Sequence, residues 1–407
     1  MSSTARARLL LVTLATACRP SPEPTVAISH VTVVDVERGT LLADRTVLVR
    51  DHRIERVDSS PRVLVPRGAE TVDGTGRFLI PGLWDMHVHI DDARTAAQLL
   101  SWGITGARIM GGGLEETLAL RERSRADPPR SPRFLVVGVA LHGPESFASD
   151  TGLALVRTAD EGRRAVDSLA GRRVDFIKVH EGLSREAWFA IARAARRHGI
   201  PLTGHVAAGL TPEEVSDSGL GSIEHLEFLP DRCLVLLDST ARARQVPPPI
   251  GCRPPDLARL LGHLHQNHVW LDPTISSFRV FARRQFPSIL AGFTDVARLI
   301  RDTGLPLLAG TDLGSAGMVP GEGLHDELAL LVAAGFSPDA ALRAATLNPA
   351  LFLGIADSVG KIDAGYVADL VLLEGNPLAD IAHTRRIAAV IRNGGVLSHA
   401  DLDSLRR

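Results

Sequence analysis

Lysine is nearly absent from this chain of 407 residues. Among 45 basic residues only Lys178 and Lys361 are lysine, and the rest are arginine. Such a bias asks what those two positions need that arginine cannot supply. No sign of charge dominates either. The formal net charge of −2 gives no electrostatic reason to expect nucleic acid or an anionic membrane as partner. Tyrosine occurs once, at Tyr366, and no arginine or tyrosine clamp for a substrate carboxylate is recognisable. Internal repeats are lacking, and the only low-complexity tract is a short Pro-rich stretch near the start. What is there is ordinary: 45% apolar and 23% charged residues. That composition excludes a wholly disordered chain, a collagen-like repeat and a multi-span membrane protein. At roughly 100–200 residues per domain, the length fits two or three domains, or one large barrel with an accessory lobe.

Residues 1–18, MSSTARARLLLVTLATAC, read as an export signal. Arg6 and Arg8 form a positive n-region, and residues 9–15 form an apolar core too short to remain as a membrane span. Small residues Ala15, Thr16 and Ala17 precede Cys18. The ending LATAC resembles a bacterial lipobox, which implies cleavage before Cys18 and lipidation of that cysteine. The next residues, RPSPEPT (19–25), suit a stiff tether. The expected location is therefore outside the cytoplasm, as a membrane-anchored lipoprotein or else a periplasmic or extracellular protein. Two further cysteines remain, Cys233 and Cys252. In an oxidising compartment they are expected to pair, closing a loop of about 20 residues worth roughly 3 kcal/mol. The alternative is two unpaired thiols.

Short alternating runs fill residues 26–72, and strand-like runs return at 368–375 and 387–397. Neither end can bury a sheet alone. They are expected to meet in one composite β-sandwich. Between them, apolar runs at 79–85, 103–109, 134–140, 174–179, 201–205, 221–225, 269–273 and 306–310 alternate with helical stretches. One helix is marked by Ser184 as N-cap and Gly199 just past its end. This α/β pattern predicts a (β/α)8 TIM barrel, with chemistry at the C-terminal strand ends. The division expected is 1–17 signal peptide, 18–25 lipidated cysteine and tether, 26–77 and 357–407 the two parts of the sandwich, and 78–356 the barrel.

The polar residues at those strand ends form a set. His87 and His89 are two apart on an extended run, so both face one side and can hold one metal ion. Lys178 ends the fourth apolar run, His205 the fifth and His225 the sixth, and Asp312 follows the eighth. A single strand-end histidine is most often an ordinary polar residue. Six such groups on one face point to a metal site, since buried ionisable groups without partners are costly.

The motifs PGLWDMHVH (81–89), DFIKV (175–179), GH (204–205), SIEH (222–225) and GTD (310–312) resemble those of the amidohydrolase superfamily. So does the C-terminal run from ATLNPALF onward (345–381). The likeness is to its imidazolonepropionase-like and Xaa-Pro or Xaa-Arg dipeptidase-like branch. The resemblance implies two divalent metal ions, with zinc expected. His87, His89 and Asp312 would hold the first, and His205 and His225 the second. Lys178 would bridge them as a carbamate formed with carbon dioxide. An unmodified lysine, with a reference pKa of about 10.4, repels metals, and arginine lacks the nucleophilic amine. The implied activity is hydrolysis of an amide or peptide bond in a dipeptide or N-acyl amino acid, using hydroxide held by the two ions. Asp312 would take its proton and pass one to the leaving amine.

His142 and His180 are candidate substrate contacts, with loop hydrogen bonds as the alternative. His325 carries the same alternative. The run HLHQNH, with His263, His265 and His268, reads as a solvated helix end. Lys361 reads as a turn cation. Other functions stay open: a cyclic amide or lactone hydrolase, a mononuclear deaminase, or a non-catalytic metal-binding surface protein. Deaminase relatives usually carry an acid soon after the strand-five histidine, whereas Val206–Gly209 here holds none. The partner expected is a small molecule, with membrane contact only through the lipid anchor, and a homo-oligomer is compatible.

Overall fold

A computed structural model describes residues 26–144, 152–226, 253–281, 283–284, 286–314 and 317–407. Cys18, Cys233 and Cys252 lie outside the described residues, as do the signal and tether.

The described residues open with β1 (Val26–Asp35), β2 (Thr40–Arg50), β3 (Arg53–Ser59), β4 (Glu70–Asp73) and β5 (Phe78–Pro81). Then come β6 (Leu83–Val88), β7 (Ile104–Ile109) and β8 (Arg133–Val136). They are followed by β9 (Ala140–His142), β10 (Leu153–Leu155), β11 (Ile177–Val179), β12 (Leu202–Gly204), β13 (Leu220–Glu224) and β14 (Trp270–Asp272). The last strands are β15 (Leu370–Leu373), β16 (Ile387–Arg392) and β17 (Gly395–Ser398).

Both ends of the chain do meet. Eight strands form one sheet in the order β17-β16-β15-β5-β1-β2-β3, with β4 also paired to β1. The sheet curls until β3 meets the residues that lead into β15. Arg53 bridges Val367, and Ile54 N–H donates to the carbonyl of Tyr366. Val47, Val49 and Ile54 from one arm share a core with Leu370, Leu372 and Ile391 from the other. The layers of the expected sandwich are thus two arms of one connected sheet.

The middle of the chain is α/β with parallel strands. One sheet runs β6-β7-β8 and another β10-β9-β11-β12-β13-β14, and every neighbouring pair within them is parallel. Main-chain hydrogen bonds link the two. Asp175 N–H donates to Val136 O, Leu308 N–H to Leu271 O, and Met86 N–H to Ala309 O. Helices fill the intervals. Ser184 caps the helix Arg185–His198 by accepting from Ala187 N–H, and Gly199 ends it, as its sequence signals predict. Its alanine-rich face is buried around Trp188.

Three expected strands differ in detail. The run 79–85 breaks at Gly82, after which β6 leaves the terminal sheet for the parallel one. A Cβ at Gly82 would collide with Thr105. The run 134–140 breaks at Gly138, whose φ of 69° turns the chain between β8 and β9. The stretch 306–310 carries one bridge, Leu271 to Leu307, rather than a ladder. Pro306 opens it without an N–H to contribute.

Candidate active site

β6 alternates its side chains, and His89, the residue just past it, falls on the same face as His87. His87 is fully buried and His89 is at the surface of a cavity of about 540 Å3. Lys178 in β11, His205 just past β12, His225 just past β13 and Asp312 line the same cavity. Asp312 is tied to β6 directly, its N–H donating to His87 O at 2.8 Å. The six residues singled out by the sequence are therefore neighbours. The His87 ring centroid is 5.3 Å from that of His89 and 4.8 Å from that of His225, and His205 lies 5.0 Å from His225. Asp312 Oδ1 is 3.3 Å from His89 Nε2 and 3.6 Å from His87 Nε2. Lys178 Nζ is 3.1 Å from His87 Nε2.

Two of these imidazoles, His87 and His205, are held neutral. Burial pushes His87 and His205 well below the ordinary histidine range, and the Lys178 ammonium adds to it. Burial would raise the Asp312 carboxyl, but its hydrogen bond with His89 and the surrounding imidazoles outweigh that and hold it well below the usual range. Neutral imidazoles and an ionised carboxylate are the forms that bind metals. Ligand atoms of His87, His225 and Asp312 lie within 4.8 Å of one another. The donor set therefore fits a divalent metal ion, and histidine with carboxylate suits zinc and similar ions.

A buried polar layer supports these side chains. Glu224 accepts from His87 Nδ1 at 3.1 Å, which leaves Nε2 toward Asp312 and Lys178. Arg108, fully buried within β7, donates to both Glu224 oxygens at 3.0 and 2.9 Å and to Thr203 and Ser222 hydroxyls. Burial alone would raise Glu224, but Arg108 and those hydroxyls lower it further and keep it an acceptor. Asp85 accepts from Thr311 N–H at 3.0 Å and Thr311 Oγ1 at 2.8 Å, fixing the residue before Asp312. Burial pushes Asp85 up to about 7. His225 Nδ1 lies 2.7 Å from Thr274 Oγ1.

These supporting residues have no metal-ligand spacing, so motif reading passes over them. A signal exists for Arg108: an arginine inside the apolar strand ITGARI must be buried and paired. Glu224 sits beside His225 in SIEH.

His180 also lines the cavity, 4.1 Å from His205 between ring centroids. Burial pushes it down to about 2. His142 stands half-buried at the end of β9 and is not among the lining residues. His263 pairs with Asp217 at 2.7 Å on the outer surface, and His265 and His268 are exposed. His325 is buried, with Nε2 3.1 Å from the Trp102 carbonyl and Nδ1 2.9 Å from Thr384 Oγ1.

The amidohydrolase family model matches residues 78–397. The chain belongs to that family, as a hydrolase acting on C–N bonds. An imidazolonepropionase of Mesorhizobium japonicum is 25% identical over 357 residues, covering 80% of this chain and 85% of that protein. A Bifidobacterium longum structure provisionally described as a prolidase has TM-score 0.74 at 28% identity, covering 95% of this chain and 98% of the other. A Xaa-Pro dipeptidase with methionine bound in its active site has TM-score 0.75 at 20% identity, covering 92% and 99%. That last likeness is one of fold.

Proposed function

We propose that this chain is a metal-dependent hydrolase of amide or peptide bonds, with a dipeptide or N-acyl amino acid as substrate. The observation that carries the reading is the convergence of His87, His89, Lys178, His205, His225 and Asp312 on one site. His87, His89 and Asp312 would hold one ion, and His205 and His225 a second. Lys178 would join both as a carbamate, because an ammonium 3.1 Å from His87 Nε2 opposes a metal cation there. The parallel strands would close as a (β/α)8 barrel, with the stretch 306–310 as the eighth stave. When bound, divalent ions supply Lewis acidity, which polarises a carbonyl oxygen and acidifies water.

The chain's own groups do the rest. Asp312, held ionised, accepts a proton from the attacking water and returns one to the leaving amine nitrogen. Glu224 keeps the proton on His87 Nδ1. His180, held neutral, offers a polar ring to substrate. Ile90 and Leu153 supply apolar wall. The lipobox-like start supports anchoring by Cys18 at a membrane surface outside the cytoplasm.

The imidazolonepropionase relative favours a second reading, hydrolysis of a cyclic amide. One experiment separates them. The metal-loaded mature protein is profiled against dipeptides, N-acyl amino acids and cyclic amides. Turnover of the first two classes is expected. A blank there with turnover of cyclic amides replaces the substrate class and keeps the site.

A further inference from the structure

Thr274 has an improbable backbone for its type. It follows β14, is fully buried, and has φ of 43°. A β-branched residue in the left-handed region is a true outlier, costing on the order of 1–3 kcal/mol. Glycine would remove that cost. The side chain must therefore return something.

Two contacts hold the strained turn. Glu327, fully buried on the helix Glu322–Ala333, takes one main-chain hydrogen bond on each carboxylate oxygen, from Ile275 N–H at 2.9 Å and Ser276 N–H at 2.7 Å. Ser277 Oγ donates to Thr274 O at 2.8 Å. The turn places Thr274 Oγ1 2.7 Å from His225 Nδ1. His225 is itself left-handed, with φ of 60°, so its own backbone and its partner's are both fixed in uncommon conformations.

We propose that Glu327 and Thr274 form a positioning relay that sets the tautomer and ring orientation of His225. Nδ1–H donates to Thr274 Oγ1, and Nε2 keeps its lone pair for a metal. The relay is separate from the one under His87, which runs through Glu224 and Arg108 inside the parallel sheets. It reaches instead to a helix packed outside them. This inference rests on the reading that His225 is a metal ligand.

The variants are close to isosteric. Thr274→Val removes the hydroxyl and Thr274→Ser keeps it. Glu327→Gln leaves one acceptor oxygen where two N–H groups need one each. The full chain, stripped of metal, is titrated with cobalt(II), reading its visible ligand-field spectrum and dissociation constant. Thermal midpoints are measured on the metal-free forms. Thr274→Val is expected to bind cobalt on the order of 10–100-fold more weakly, with an altered spectrum. Glu327→Gln moves in the same direction by less, and Thr274→Ser behaves as the parent. A purely structural role would lower the metal-free midpoint and leave the cobalt spectrum alone. If Thr274→Val does not fold, Glu327→Gln carries the same comparison. Parent-like spectrum and affinity in the folded variants overturn the relay while the metal reading stands. A parent chain that takes up no cobalt overturns the metal reading and the relay with it.

Discussion

The two lysines of this chain lie in regions that treat them oppositely. Lys178 is 1% exposed, in a strand among imidazoles, with Nζ 3.1 Å from His87 Nε2. Lys361 lies on a turn beside the terminal sheet, where its 26% exposed side chain meets Glu37 Oε1 at 2.7 Å. Removing an ammonium from water costs several kcal/mol unless its partners compensate. At Lys178 the chemistry of the amine therefore decides what can stand there. At Lys361 a water-screened pair contributes about 0–1 kcal/mol, and either basic residue serves. The same scarce residue is enclosed in one region and screened by water in the other.

The largest effect should come from Lys178→Arg, which keeps a charge and loses the amine that can form a carbamate. Metal content should drop and hydrolysis should fall by at least about 10³-fold, the equivalent of several kcal/mol of lost charge stabilisation. Metal analysis beside turnover checks it, and full metal content with parental turnover would erase the contrast between the lysines. Asp312→Asn sharpens the same region. The shape is kept and the proton acceptor is lost, so turnover should fall about 10²-fold. If ions stay bound and turnover holds, Asp312 carries no proton.

The proposed ligands were legible as a group because they obey local rules. His87 and His89 follow from the two-residue period of a strand, and Lys178, His205 and His225 from their places at the ends of apolar runs. Their supports obey no such rule. Glu224 meets His87 across 137 residues and Glu327 meets Ile275 across 52. Such partners are chosen by packing between elements, which no spacing encodes. Breaks in the strands were half-legible. Gly138 and Pro306 are visible in the sequence, but the collision that requires Gly82 depends on Thr105 arriving from β7. The curl of the terminal sheet depends likewise on Arg53 reaching Val367.

His325 tests whether burial alone, without the cavity's chemistry, makes a residue's identity matter. Burial, with Arg385 adding to it, pushes His325 down to about 3. Its folded value lies below the unfolded one, so the unfolded chain binds a proton that the native chain refuses. Stability is then present at neutral pH and lost as pH falls below about 6.5, by up to about 1.4 kcal/mol per pH unit from this group. His325→Asn should cut the loss between pH 7 and pH 5 by about 2 kcal/mol, read by denaturant unfolding of the parent and the variant. An unchanged loss would mean that burial at this position does not exclude the proton.

The smallest effect belongs to the other lysine. The Glu37 carboxyl is lowered first by its hydrogen bond with Lys361, and the pair joins the N-terminal and C-terminal parts of the curled sheet. Arginine can reach the same carboxylate with a fork of donors. Lys361→Arg should therefore change stability by no more than about 0.5 kcal/mol, and Lys361→Ala by no more than about 1 kcal/mol. Salt should weaken the alanine difference further, since the pair is open to water. Denaturation curves at low and high salt check this. A loss of several kcal/mol from Lys361→Arg would show that lysine is required in both regions, and the asymmetry drawn from burial would then have to be abandoned.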